Sequence, residues 1–455
     1  MRVLREREVE REMDLKIPSV VIFLVFLSIF SGISHAAYCT GGPEEGERTN
    51  DYDIAASNLE LVRAGSNAKL YQAGPTNARF NVLHLYGETG YETGLAQGLL
   101  MKREIKEFVY KTWGYLIKMV IDPEKFSPFM QAMILNKGFD KALDWTARVT
   151  APYTPQAYFD ELQGLADGSG VDYNMLLRIN LFAELTKASC SFVGAWGSAV
   201  SNDNSYQLRA LDYDTDGPFK DYPVLTVYHP TQGNHFAQVG WPGSIGALTG
   251  ISSAQMAISE IGVSFADDSF GQGTENTPPE KVHGKPWMYV LRDVLQYSTT
   301  LEEGIKSIQE SNRTCNLIIG LGDGKEGYVN GIQYSGYVAN PYDDETLLPV
   351  NDTWHPQIQN VVYNGMDWNC PTYTSILGEQ LQKYHGKIDA NTIYRYILPT
   401  VQTGNLHIAI TDLTDMQYFL SFARASTADE SEPFNAYERQ FTQIDMKVLF
   451  EEKLE

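Results

Sequence analysis

The sequence predicts an α+β fold in which two antiparallel sheets stack between helical layers. Three observations predict it. Upstream of residue 189, apolar residues recur at spacings of three and four, the signature of amphipathic helices. At Cys190 the pattern changes to that of short strands broken by polar turns. From there the order is strands, helices, strands, helices, strands, and each sheet so formed needs an apolar face covered.

Taken in order, the chain begins with a targeting segment. Ile17 to Ile33 is almost purely apolar, with charged residues before it and Ser34-His35-Ala36 after it, which predicts a signal peptide over 1–36 cut before Ala37. The apolar run is shorter than the roughly 20 residues of a spanning helix. Met13 offers a second start that shortens the charged lead. The sequons Asn312-Arg-Thr and Asn351-Asp-Thr suit the same route, so both asparagines are expected glycosylation sites in a secreted or lysosomal protein.

Residues 37–189 read as mainly helical. A loose polar lead runs to about Ala56, and Leu83 to Tyr86 is a short strand. The positions Met101, Ile105, Phe108, Val109, Trp113, Leu116, Ile117 and Val120 line one face of a long helix that starts near Tyr91. A second helix starts at Thr154-Pro155 and ends in Gly168-Ser-Gly170, with a third over 175–187.

Residues 190–455 carry the sheets. Cys190 to Trp196 and Tyr206 to Asp212 flank the turn Ser201 to Ser205, a hairpin pattern. Further strands are expected over 224–228, 235–239, 245–249 and 256–259, and helices over 287–297 and 301–310. Strands over 315–319 and 328–332, helices near 373–384 and 391–398, and strands over 406–411 and 416–422 complete the set.

Composition excludes some partners. A net charge of −22 argues against nucleic acid, whose phosphates require clustered Lys and Arg. Such a surface reads either as that of a soluble, self-repelling protein or as one suited to an acidic compartment, where protonation lowers its self-repulsion. No H-E-x-x-H or paired C-x-x-C occurs, and the eight histidines are scattered, so no metal or other cofactor is expected. Gly322-Asp-Gly324-Lys-Glu-Gly327 has the dinucleotide-binding spacing but leads into a strand pattern, where phosphate binding needs a helix N-terminus. It reads as a hairpin turn. The cysteines Cys39, Cys190, Cys315 and Cys370 allow two disulfides in three connectivities, and a bridge at Cys190 is one reading of that residue.

The other reading comes from its surroundings. Cys190-Ser-Phe-Val-Gly-Ala-Trp-Gly, followed by Arg209-Ala-Leu-Asp212-Tyr, resembles the N-terminal-nucleophile hydrolases of the acyl-coenzyme A:isopenicillin N acyltransferase-like branch, in particular the acid ceramidase-like proteins of lower eukaryotes. The resemblance extends upstream to Tyr91-Glu-Thr-Gly-Leu-Ala-Gln-Gly, Glu161-Leu-Gln-Gly-Leu-Ala-Asp-Gly-Ser-Gly170 and Asn180-Leu-Phe-Ala-Glu184, and downstream to Gly404-Asn-Leu-His-Ile-Ala and Phe422-Ala-Arg424. It implies a four-layer αββα sandwich preceded by a pro-segment, cut between Ser189 and Cys190, with the pro-segment staying associated. It implies hydrolysis of a linear amide, with N-acyl lipid amides among the expected substrates, through an acyl-Cys190 intermediate; transfer to an amine instead of water is the alternative on the same chemistry.

The residue types suit that chemistry. A new amino terminus at Cys190 carries an α-amine of pKa roughly 7.7 to 8.0, able to serve as base for its own thiol without a histidine. By resemblance Asp212 holds that amine, and Arg209 orients substrate or assists the thiolate. Strict alternation puts positions 209 and 212 on opposite faces, so a bulge or a strand end is expected there. For the oxyanion the resemblance points to Glu260, after Met256-Ala-Ile-Ser, and to Asn364, in Val361-Val-Tyr-Asn-Gly, which reads equally as a turn residue. The relatives' arginine soon after this asparagine is missing until Arg395.

Overall fold

The computed structural model describes residues 42–119, 134, 138–186, 188–262, 282–366 and 371–454. The expected signal peptide, Cys39, Lys187, Cys370 and the Val120 end of the long helix lie outside them.

Along the chain the first strands are β1 (Ala55–Ala56), β2 (Glu60–Gly65), β3 (Ala68–Ala73) and β4 (Phe80–Leu85). The helices α1 (Gly90–Leu100), α2 (Lys102–Met119), α3 (Phe139–Thr150), α4 (Gln156–Ser169) and α5 (Tyr173–Leu181) follow. Then come β5 (Ser189–Ala195), β6 (Tyr206–Asp212), β7 (Val224–Tyr228), β8 (Phe236–Gly240), β9 (Thr249–Ser252) and β10 (Met256–Gly262). After α6 (Trp287–Tyr297) and α7 (Leu301–Glu310) lie β11 (Asn316–Asp323), β12 (Tyr328–Ser335), β13 (Ala339–Tyr342) and β14 (Val361–Asn364). The chain closes with α8 (Pro371–Lys383), the helical stretch α9 over 390–401 with a π turn at Ile393–Ile397, β15 (His407–Asp412), β16 (Gln417–Phe422), β17 (Thr442–Asp445) and α10 (Met446–Glu451).

Two sheets hold the molecule. One has the order β1-β17-β16-β15-β6-β5-β14; the other runs β13-β12-β11-β10-β9-β8-β7-β4-β3-β2. They stack face to face through β5, β6 and β10 to β12, with α6 and α7 on the outer side of the larger sheet and α8 and α9 on that of the smaller. The fold is therefore the expected α+β arrangement of two sheets between helical layers. Contact between the sheets is tight: a Cβ on Gly320 in β11 would sit 2.1 Å from the Phe192 ring of β5. Beside it Gln207 donates to Ser259 Oγ at 2.8 Å.

Several boundaries differ from the periodicity. The segment before residue 189 supplies β2, β3 and β4 to the larger sheet, and β4 pairs in parallel with β7. Pro43–Glu455 forms one compact unit, so residues on both sides of the Ser189–Cys190 bond share it. The lead before Ala56 is tied down, not loose: Asn50 is buried and donates to the carbonyls of Tyr437 and Arg439 at 3.0 and 2.8 Å, and β1 pairs with β17. The long helix divides at Met101 into α1 and α2. Thr154 does not cap α4; its hydroxyl turns back to Thr150 O at 3.0 Å, while the expected end holds, with Gly170 left-handed at φ 69°. The helix expected over 175–187 ends at Leu181, followed by a short 3-10 turn. Residues 245–248 are not a strand, because their backbone groups bond outside any sheet: Ile245 N donates to Asn180 Oδ1 at 2.9 Å, Ile245 O accepts from Arg292 at 2.7 Å, and Ala247 N donates to Met288 O at 3.0 Å. The Gly322–Gly327 stretch turns β11 into β12, as its strand-like sequel predicts.

The glycines of the two upstream motifs have a shared cause. They sit where α1 crosses α4, and a Cβ on Gly94 would fall 1.8 Å from Glu161 O, one on Gly164 2.0 Å from Tyr91 O. Only glycine lets the two backbones approach this closely.

Candidate functional site

Cys190 is the second residue of β5, and its strand pairs with β6 in unbroken register: Ser189 opposite Asp212, Cys190 opposite Leu211, Phe192 opposite Arg209. Paired residues share a face and alternate along the strand. Cys190, Phe192, Arg209 and Leu211 thus face the other sheet, while Ser191 and Asp212 face the opposite way. There is no bulge; Asp212 lies at the end of the strand.

Three of the expected residues converge. Arg209 Nη2 donates to Cys190 Sγ at 3.4 Å and to Glu260 Oε2 at 3.3 Å, and Nε donates to Glu260 O at 3.3 Å. All three are buried, and Cys190 carries a thiol rather than a disulfide. Burial pushes the Cys190 thiol up to about 12 against the opposing pull of Arg209. Burial also raises Glu260 to about 7, again with Arg209 opposing. In the intact chain the thiol is therefore neutral, and Glu260 changes charge near neutrality.

Asp212 approaches from the other face of the same strand. Its carboxylate accepts from Thr403 Oγ1 at 2.6 Å, Gly404 N at 2.9 Å and Asn405 N at 3.0 Å. Thr403 Oγ1 also lies 2.7 Å from Ser191 Oγ. Burial raises Asp212 to about 6, while these hydrogen bonds pull it down.

Asn364 ends β14 opposite Phe192. Its Oδ1 accepts from Tyr342 OH at 2.5 Å and its Nδ2 donates to Leu348 O at 3.3 Å, so both ends of the amide are engaged. Among the sequon residues, Asn312 is exposed and Asn351 is half-buried, its Oδ1 accepting from the backbone of Thr353 and Trp354.

An apolar cavity of about 60 Å³ opens beside Arg209 and Glu260, walled by Phe182, Tyr213, Trp241, Trp287 and Leu317. One side consists of Phe182, Ala183, Glu184, Thr186 and Ala188, the segment just upstream of Cys190. Glu184 is held there: Oε1 accepts from Trp287 N at 2.8 Å, and Oε2 lies 3.4 Å from the Cys315 thiol, whose backbone is left-handed at φ 59°.

Sequence reasoning missed His407. Its Nε2 lies 2.9 Å from Arg209 Nη1. His407 stands in a motif weighed only for its likeness. The signal that could have found it is the pairing of β15 with β6, which puts His407 opposite Leu211 on the thiol-bearing face. Among the described residues no group of three or more His, Cys, Asp or Glu is placed to hold a metal ion.

Fold and site together define a two-sheet α+β protein centred on a buried thiol with its own guanidinium and carboxylate. No family model matches the chain. It is 33% identical to protein dcd1A of Dictyostelium discoideum over 459 residues, covering 96% of this chain and 100% of that one. Protein dcd1B of the same organism is 33% identical over 421 residues, covering 88% of this chain and 81% of that protein. The chain belongs to the family of these two proteins. Among solved structures it is similar to a Caenorhabditis elegans N-acylethanolamine-hydrolyzing acid amidase ortholog, at 15% identity and a TM-score of 0.37, covering 55% of this chain and 98% of that one. Likeness that distant leaves the chemistry to be read from the site itself.

Proposed function

We propose that the protein is a self-processing cysteine hydrolase of linear amides, cut between Ser189 and Cys190 and acting through an acyl-Cys190 intermediate. The observation that carries this is the guanidinium of Arg209 at 3.4 Å from a buried thiol, shared with a carboxyl group that titrates near neutrality. A cysteine with only a packing role needs neither.

In self-processing, Cys190 Sγ attacks the carbonyl carbon of Ser189. The C–N bond of that peptide breaks, the thiol proton ends on the departing nitrogen, and a thioester joins Ser189 to Sγ. Water then opens the thioester, leaving a Ser189 carboxylate and a Cys190 α-amine. The freed amine supplies the base that the neutral thiol lacks. Arg209 stabilises negative charge on sulfur and on the oxyanion, and Glu260, protonated below about 7, is a second hydrogen-bond donor in reach of the same guanidinium. A substrate amide is cleaved by the same sequence, its acyl carbon passing to sulfur and then to water.

The apolar cavity favours an acyl chain over a polar group as the occupant, so an N-acyl lipid amide is the substrate class we infer. The acid side of neutrality is the working range, in keeping with a secreted or lysosomal location and the net charge of −22. The upstream segment stays bound after the cut, since β4 remains hydrogen-bonded to β7.

Intact mass and amino-terminal sequencing of the purified protein test the reading. Two co-purifying fragments are expected, the second beginning at Cys190, and Cys190→Ala should leave one chain. A single uncut wild-type chain with no amide-cleaving activity at any pH would sink it.

A further inference from the structure

We infer that His407 is the positioning residue that aims Arg209 at the Cys190 thiol, accepting a hydrogen bond from Nη1 through an unprotonated imidazole nitrogen. The inference rests on the proposed cysteine chemistry for its consequence, not for its geometry.

A guanidinium is a planar, rigid fork of five donors and no acceptor. At Arg209 all three nitrogens are engaged: Nε on Glu260 O, Nη2 on Glu260 Oε2 and Cys190 Sγ, Nη1 on His407 Nε2. Glu260 and Cys190 alone would hold the Nε and Nη2 edge and leave Nη1 without an acceptor. His407, on β15 at the far side of β6, supplies that acceptor. Because Arg209 can only donate, His407 Nε2 has to be the bare nitrogen, and the imidazole proton sits on Nδ1.

The surroundings keep it so. His407 is buried, with the Trp241 and Phe422 rings each 6.2 Å away. Burial, and secondarily Arg209, hold its pKa well below the ordinary 6.5. The titratable and charged groups around it are Arg209 from β6, Cys190 from β5 and Glu260 from β10 across the guanidinium. Tyr418 on β16 shares its face, and Lys220 shares the small cavity that His407 lines. Protonating His407 would set two cations against each other at 2.9 Å with no water between. The fork would then turn away from the thiol, so His407 places an acid limit on the chemistry while Glu260 favours the acid side.

The test uses the full chain. His407→Gln keeps an acceptor that does not titrate; self-cleavage should stay within about threefold of wild type near pH 6, and the fall in rate at low pH should vanish. His407→Leu removes the acceptor, and the rate should fall by about tenfold to a hundredfold, the scale of a misplaced catalytic group. Wild-type rates in His407→Leu, or an unchanged acid limb in His407→Gln, would overturn the inference. The imidazole ¹⁵N shifts of His407 in the Cys190→Ala chain give a readout independent of catalysis. An unprotonated Nε2 down to pH 5 is expected, and a protonated Nε2 at neutral pH would overturn the assignment. Should the wild type never cleave while Nε2 is found bare, the proposed chemistry fails and the positioning of Arg209 stands.

Discussion

Among the described residues two buried arginine–glutamate pairs are built differently. Arg292 and Glu161 meet at 2.8 Å, and the Arg292 guanidinium lies over the rings of Tyr228, Tyr158 and Phe236 at 4.5, 5.2 and 5.4 Å. Arg209 and Glu260 meet at 3.3 Å, and Arg209 is surrounded by a thiol, a carbonyl, a carboxyl and an imidazole. Rings hold a cation without fixing its direction, and the Nη1 atom that meets Glu161 also donates to Ile245 O at 2.7 Å. Polar acceptors at all three nitrogens fix the plane of Arg209. The first pair joins α4, upstream of the proposed cut, to α6, downstream of it; the second points a charge at sulfur. Burial alone does not mark a functional ion pair; the kind of neighbour does.

Experiments can break this comparison. The largest effect belongs to Cys190→Ala, which should abolish cleavage and amide hydrolysis, read by intact mass and product release. Arg209→Lys keeps the charge but loses the fork, and self-cleavage should slow by about 10²-fold with little change in melting temperature. Glu161→Ala leaves Arg292 buried and unpaired, costing about 3–5 kcal/mol by denaturant unfolding. The folded fraction should nevertheless cleave at the wild-type rate. Were Glu161→Ala to slow the chemistry as much as Arg209→Lys, the division of roles would be wrong. Replacing both partners with Glu161→Leu and Arg292→Met should recover most of the lost stability, because no lone charge remains.

The smallest expected effect is on the pH dependence of stability. Glu260 rises from 4.5 to about 7 on folding, so between those values the folded state holds a proton that the unfolded state has released. Stability from this group is gained as pH falls through that window. His84 and His229, lowered from 6.5 to about 4 and about 3 by burial, act oppositely: below 6.5 the unfolded state takes up protons that the folded state refuses, and stability is lost. Glu260→Gln should therefore lose relative stability against wild type as pH falls from 7 to 5, measured as melting temperature against pH. A constant difference between the two proteins across that range would contradict the placement of Glu260.

Much of this was legible early. The strands at 206–212 and 224–228 and the helices at 287–297 and 301–310 appear where their periodicity puts them, because a strong apolar period records which face is buried. Strand β2 gives no sequence signal, since Glu60–Gly65 lies at a sheet edge with an exposed face and shows no alternation. The 245–248 run reads as a strand because apolar residues line it, yet the backbone of Ile245 is taken up by Asn180 and Arg292, which sequence distance hides.

The sequence by itself determined most of the elements and the chemical kinds: a cysteine heading a strand, and an arginine and a carboxylate one strand on. Those follow from local periodicity and residue chemistry. Only the tertiary structure decided which of them share a face. Register turned Arg209 toward the thiol and Asp212 away from it, engaged Asn364 with Tyr342, and brought His407 from almost two hundred positions away to hold the guanidinium. A strand's side chains alternate, so one residue of register decides every such partnership.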